Sequence, residues 1–170
     1  AHEPMCDLVK ASGESALLGQ LDLARLELMF VKIIESPVPL RYQTELNRWM
    51  PLHAGASGLA MLAWLTPAQV EQTIRRTGLR PVTERTLTDP HKLRETLHQV
   101  RQRGFALTRG QRLHGAVGIA APIFGHDGIV IGDICLTVPD QRFDPANKRL
   151  PQLVMACAAR VTQDIGGLRP

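Results

Sequence analysis

Aromatic residues are scarce in this chain: Phe, Trp and Tyr make up 4% of its 170 residues. Only Phe105 falls among the arginines Arg75, Arg76, Arg80, Arg85, Arg94, Arg101, Arg103, Arg109 and Arg112, so the formal net charge of +4 reads as a solvated basic surface rather than a nucleic-acid patch. Cysteine is also sparse. Cys6, Cys135 and Cys157 are odd in number, far apart and set among apolar neighbours, which excludes a disulfide framework and offers no zinc motif. A reduced, cytoplasmic chain is expected. No apolar run approaches the roughly 18 residues of a membrane span. The start Ala1-His2-Glu3-Pro4 lacks a signal-peptide core and an initiator Met and reads as a cut end. Internal repeats, linkers and low-complexity segments are missing too.

What is present is the balance of one compact domain: 44% hydrophobic and 21% charged residues. A chain of this length buries about 70% of the surface its unfolded form exposes, enough for a core without metal or disulfide. Pro4, the helical spacing of Met5, Leu8 and Val9, and Gly13 predict a helix over 4–11. Residues 15–21 and 27–35 are rich in Leu, Ile, Val and Phe around a polar break, the pattern of a hairpin. Pro37, Pro39 and Pro51 then impose an extended stretch in which Leu40, Tyr42 and Leu46 are candidates for edge-strand contacts.

From His53 the chain becomes Ala54-Gly55-Ala56-Ser57-Gly58-Leu59-Ala60, the glycine-rich start of a small-residue helix closing at Leu65. Thr66, Pro67 and Gln69 spell a capping box for the next helix, ended by Gly78. Asp89-Pro90 caps a third, with Leu93, Leu97 and Val100 on its apolar face and Gly104 at its end. Strands are expected at 105–108, 116–124 and 129–138, the last two joined by Gly125-His126-Asp127-Gly128. Asp144-Pro145 is expected to open the final helical region and Pro151 to restart it, with Leu150, Leu153, Val154, Cys157, Val161 and Ile165 as its buried stripe. This order argues for an α+β domain: a central antiparallel sheet covered by helices.

The succession resembles the C-terminal effector-binding domain of IclR-type transcriptional regulators, which has a GAF-like fold. The resemblance covers nearly the whole chain. It rests on Ala11-Ser12-Gly13-Glu14, Ile34-Glu35-Ser36, Pro51-Leu52-His53-Ala54, Arg103-Gly104-Phe105 and Gly118-Ile119-Ala120-Ala121-Pro122-Ile123-Phe124, in that order and spacing. It implies a small organic effector, a carboxylate or an aromatic compound, and an upstream winged helix-turn-helix that contacts operator DNA and is absent from residues 1–170. It also implies a homodimer or homotetramer, and no catalysis, cofactor or membrane. Carried over by position, the effector pocket involves Ala56, Ser57 and Gly58, then Thr108, Gly118, Cys135 and Thr137. The chain departs from the family pattern at three places. Thr108-Arg109-Gly110-Gln111 replaces an acidic pair, Leu59 stands for a common Lys, and Cys135 and Thr137 replace the paired serines of small-oxoacid sensors. These differences point away from a glyoxylate-like or pyruvate-like effector. The other reading of such a fold is a GAF-like sensor attached to a different signalling output.

Four chemically suggestive features remain. Cys135, between Ile134 and Leu136, is the residue type of an inert small hydrophobe unless a histidine stands beside it. His91 and His98 are two helical turns apart, too far to chelate one ion, and His53 reads as a structural or capping group. Asp133 lies within an apolar strand, so it must be exposed, paired or functional. Alternation puts Ile131, Asp133, Cys135 and Thr137 on one face and Val130, Ile134, Leu136 and Val138 on the other. Asp133 therefore shares the pocket face, as an effector contact, an ion-pair partner of an Arg or an exposed strand-end residue. Finally, the small residues after His53 let an anion approach the first helical amides, and Gly118 leaves space for a ligand larger than a three-carbon acid.

Overall fold

The computed structural model describes residues 1–170. Helix α1 (His2–Ser12) leads into the hairpin β1 (Ser15–Asp22) and β2 (Glu27–Ile34). The Asp22 carboxylate closes that turn by accepting from the amides of Ala24 and Arg25, both at 2.9 Å. A short edge strand β3 (Met50–Pro51) precedes helices α2 (Ala56–Leu62), α3 (Pro67–Thr77) and α4 (Pro90–Arg103). Strands β4 (Ala106–Arg109), β5 (Ala116–Phe124) and β6 (Val130–Pro139) follow, then a 3-10 turn at Asp140–Arg142 and helix α5 (Arg149–Asp164). The six strands form one antiparallel sheet in the order β3-β2-β1-β6-β5-β4, so the first and last hairpins meet at the β1–β6 pair in mid-sheet. This is the α+β architecture read from the sequence.

The caps explain where the middle helices begin. Thr66 accepts from the Gln69 amide at 3.3 Å while the Gln69 side chain accepts from the Thr66 amide at 3.0 Å, a complete capping box for α3. Asp89 accepts from His91 and Lys92 to cap α4.

Four details differ from the pattern-based expectation. Leu40 and Leu46 are exposed and make no strand; only Met50–Pro51 pairs, with Leu28 and Glu27, and the loop before it reaches β2 through a single bond from the Asn47 amide to the Phe30 carbonyl at 2.8 Å. Asp144 does not open the last helix. Its carboxylate instead accepts from the Ala146 amide at 2.9 Å in a tight turn, and α5 starts at Arg149 with Pro151 in its first turn. Ile165 falls just past the end of α5 and is exposed. Val130 and Ile131 have exchanged faces. The β5–β6 register slips between Ile123/Phe124, leaving Ile131 as an extra residue, so Val130 turns into the core with Phe124 while Ile131 faces solvent. The arginines also find aromatic partners in space: Arg25, Arg101, Arg103, Arg109 and Arg112 each lie over a ring 4.7–5.6 Å away, and all but the Arg103–Phe105 pair join residues distant in the chain.

The sheet separates two cores. On one face, Ile119, Ala121, Ile134, Leu136 and Val138 pack against α1 and α5. On the other, Leu17, Phe30, Ala120 and Cys135 pack against α2, behind which lies α4. No helix is long and apolar enough to cross a membrane.

Candidate functional site

The second face is not filled. A cavity of about 520 Å³ opens between the start of α2, the middle of the sheet and the 43–51 and 111–113 segments. That is the size of a small-molecule site. Ala56 and Ser57 reach it from α2, Thr108 from β4, Gly118 from β5, and Cys135 and Thr137 from β6. Phe30, Trp49, Met50 and Leu113 supply an apolar wall.

Two of the sequence candidates are not on the cavity wall. Gly58 packs backbone to backbone, since a Cβ there would collide with the Leu52 carbonyl. Asp133 lies deeper, behind the wall, fully buried. Gly118 does line the cavity, but the space it leaves is taken by α2: a Cβ on it would stand 3.0 Å from the Ala56 methyl. The cavity owes its volume to the separation between α2 and the 43–51 segment rather than to Gly118.

One wall residue is not distinguishable in the sequence from its eight scattered fellows: Arg112. Its guanidinium reaches across the start of α2, donating to the Ala54 carbonyl from Nη2 at 2.6 Å and from Nε at 3.3 Å. Nη1 contacts Met50 Sδ at 3.1 Å, and the Phe30 ring lies 5.6 Å beneath. Burial depresses the pKa of Arg112, while the Cys135 and Asp133 side chains pull it up; the guanidinium keeps its proton throughout. No carboxylate forms an ion pair with it, although other arginines of the chain are paired, such as Arg142 with Glu14 and Arg109 with Asp140. A half-buried cation without an ion-paired carboxylate leaves positive charge uncompensated at this end of the cavity.

The first amides of α2 contribute less than the glycine-rich sequence implies. The helix has only seven residues, and the Gly55 amide is already directed at the Gln111 side chain at 3.4 Å. Arg112 supplies the positive charge at that end of the cavity.

Asp133 is neither exposed nor ion-paired. Neither carboxylate oxygen has a hydrogen-bond partner, and the Ser57 hydroxyl is likewise unpartnered. Burial dominates and pushes the Asp133 pKa up to about 7, opposed by the nearby Ser57 hydroxyl, by the charge of Arg112 and by the Gly19 amide. Burial, reinforced by the negative charge of Asp133, raises the Cys135 thiol to about 12. Its Sγ donates to the Leu136 carbonyl at 3.4 Å, and it is a protonated wall group rather than a nucleophile. His53 sits outside the cavity wall and donates from Nε2 to the Arg80 carbonyl at 2.9 Å; burial lowers its pKa, which fits a neutral structural ring. His91 and His98 are exposed on α4, and no three His, Cys, Asp or Glu side chains converge as a metal site.

Comparison with known proteins gives this geometry a family. Residues 1–163 match the model described as "Bacterial transcriptional regulator IclR C-terminal". The transcriptional repressor IclR of Escherichia coli K12 is 29% identical over 169 residues, covering 99% of this chain and 62% of that protein. The regulator BhcR of Paracoccus denitrificans is 34% identical over 139 residues, 82% of this chain and 49% of that protein. The chain thus spans between about half and three fifths of the length of these relatives. Among solved structures, the C-terminal domain of E. coli KdgR superposes with a TM-score of 0.84 at 26% identity, covering 97% of this chain and 95% of that one. An IclR homologue from Microbacterium hydrocarbonoxydans in complex with 4-hydroxybenzoate gives a TM-score of 0.85 at 25% identity, covering 97% of this chain and 66% of that one. The chain therefore belongs to the IclR family of bacterial transcriptional regulators, as its C-terminal, effector-binding domain.

Proposed function

We propose that the cavity under α2 binds a small organic anion, a carboxylate with an aromatic or branched apolar body, and that binding changes how an upstream winged helix-turn-helix fits its operator. The observation that carries this reading is Arg112: a half-buried guanidinium with no ion-paired carboxylate, on the wall of a cavity whose other charged residues, Glu45 and Arg48, pair with each other. The 4-hydroxybenzoate held by the Microbacterium hydrocarbonoxydans homologue is a ligand of this chemical kind. Ala56, Ser57, Thr108, Gly118, Cys135 and Thr137 shape the site around it, with Gly58 holding α2 against the segment before it. Regulation requires only that the effector prefer one arrangement of subunits, so the functional unit is a homodimer or homotetramer acting in the cytoplasm.

A thermal-shift comparison of benzoate with benzamide tests the charge requirement. The carboxylate stabilises the domain and the isosteric amide does not. Equal stabilisation by both, or by neither, removes the anionic reading.

A further inference from the structure

Resting on that reading, we infer that the cavity takes up its anion together with a proton accepted by Asp133, so that the domain binds a carboxylate in the net form of the neutral acid and responds to pH as well as to effector.

Asp133 lies on β6 opposite Gly19 of β1, and a Cβ on Gly19 would collide with its carboxylate. Met61 of α2 bounds the same niche, its Cε 3.0 Å from that Cβ position. The carboxyl group is fully buried there, and neither oxygen has a hydrogen-bond partner. A carboxylate so placed depends on the charges around it. Arg112, from the 111–113 segment, supplies the one positive charge that favours the ionised form. Cys135, on the same strand face, keeps its proton, the thiol being pushed up to about 12. The residues that α2, β1 and β5 bring to Asp133, namely Ser57, Met61, Gly19 and Pro122, do not titrate. His53, the buried histidine near Arg112, is neutral at pH 7 and above, because burial lowers its pKa.

The cavity couples Asp133 to the effector. Arg112 and Cys135 both line it, and Asp133 stands two residues before Cys135 on the same face of β6, about 6.5–7 Å along the strand. An anion that meets the Arg112 guanidinium offsets the positive charge supporting the Asp133 carboxylate and adds a like charge on the other side of the wall. Little water intervenes to screen either effect. Both favour the protonated carboxyl, which is poised for the change: its pKa is about 7 in the free domain. Above that pH the complex therefore holds a proton that the free domain does not, and the proton comes from solvent. By linkage, affinity is greatest with Asp133 protonated and falls as the pH rises above about 7, levelling off once the carboxyl is ionised in both states.

The test is calorimetry with benzoate, which stays ionised from pH 7 to pH 9. At pH 8 the binding enthalpy is measured in HEPES and in Tris, whose ionisation enthalpies differ, and the difference counts the protons taken up. About 0.4–0.9 proton enters the wild-type domain per benzoate bound, and between pH 7 and pH 9 its affinity falls about 5- to 20-fold. Asp133→Asn, neutral and of the same shape, takes up no proton and keeps one affinity across that range, within about twofold of the wild-type value at pH 7. Asp133→Ala repeats the proton count if the Asn variant does not fold. Benzoate binding to the wild-type domain with a buffer-independent enthalpy and a pH-independent affinity overturns the inference and leaves the anionic reading standing. Proton uptake that persists in the Asp133 variants assigns the proton to another group and overturns it too. Absence of benzoate binding at every pH is a different failure, removing the anionic reading and the inference with it.

Discussion

The two faces of the sheet use the same strands and reach opposite outcomes. Along β6, Ile134, Leu136 and Val138 enter the core beneath α1 and α5, whereas Asp133, Cys135 and Thr137, each one residue away, face α2 and the cavity. Beneath α5, the buried Thr162 hydroxyl is used, accepting from the Phe124 amide at 3.2 Å. On the α2 side, Ser57, Asp133, His53 and Trp64 all keep buried polar atoms without partners. One face is built for stability. The other carries buried polar atoms that weaken it as packing and leaves room for a cavity.

The largest expected effect breaks this asymmetry by placing a carboxylate on the packed face. Ile134→Asp loses roughly 2–5 kcal/mol of packing and buries a charge among Val154, Val161 and their neighbours, so no cooperative unfolding transition remains in a denaturant titration. The adjacent native Asp133 is tolerated because Gly19 and Ser57 give it room and a polar neighbour.

Replacing Asp133 by Asn sharpens the comparison through pH. The folded-state pKa is raised from 3.8 to about 7, so this acid favours folding most when protonated, below its unfolded pKa. Its contribution is then lost as pH rises from about 4 to about 7. Asp133→Asn, which does not titrate, therefore gains on the wild-type domain across that window, by up to roughly 4 kcal/mol, and the gap stays constant above it. Urea midpoints at pH 4, 5.5, 7 and 8 measure this; a gap independent of pH shows that the carboxyl is not desolvated.

A smaller effect is steric. Gly19→Ala costs about 1–3 kcal/mol because its methyl meets the Asp133 carboxylate, and Asp133→Ala in the same chain restores part of that loss. Additivity of the two substitutions in a double-mutant cycle contradicts the proposed niche. The smallest effect lies away from both faces: Arg94→Ala removes an exposed ion pair with Glu71 that joins α4 to α3 and leaves the urea midpoint indistinguishable from that of the wild-type domain.

How much of this was legible in the sequence follows the same division. Helix boundaries written in caps, such as Thr66-Pro67 with Gln69 and Asp89-Pro90, are local chemistry and appear in the structure where the residues put them. The alternation of β6 was readable from Gly132 onward. It failed at Val130 and Ile131, because a bulge depends on pairing with β5 and leaves no mark in composition. Asp144 offered the same cap chemistry as Asp89, but it was consumed by a turn. The cavity wall was half legible: small residues on α2 and polar residues on β6 stand out from their surroundings. Arg112 did not, since its meaning comes from Ala54, Met50 and Phe30, which are 58, 62 and 82 positions away in the chain. Gly118 misled in the opposite direction, because only the placement of Ala56 shows that its empty space is already occupied.

The most direct measurement is a calorimetric titration of 4-hydroxybenzoate into the wild-type domain and into Arg112→Gln, a neutral side chain that still donates to the Ala54 carbonyl. With the thermal unfolding of both proteins measured alongside, the account expects one site per chain in the wild type. It expects a loss of affinity of about 10- to 100-fold in the variant, with the folding transition retained. Equal affinity in the two proteins would contradict it, because the Arg112 guanidinium would then not be what holds the anion.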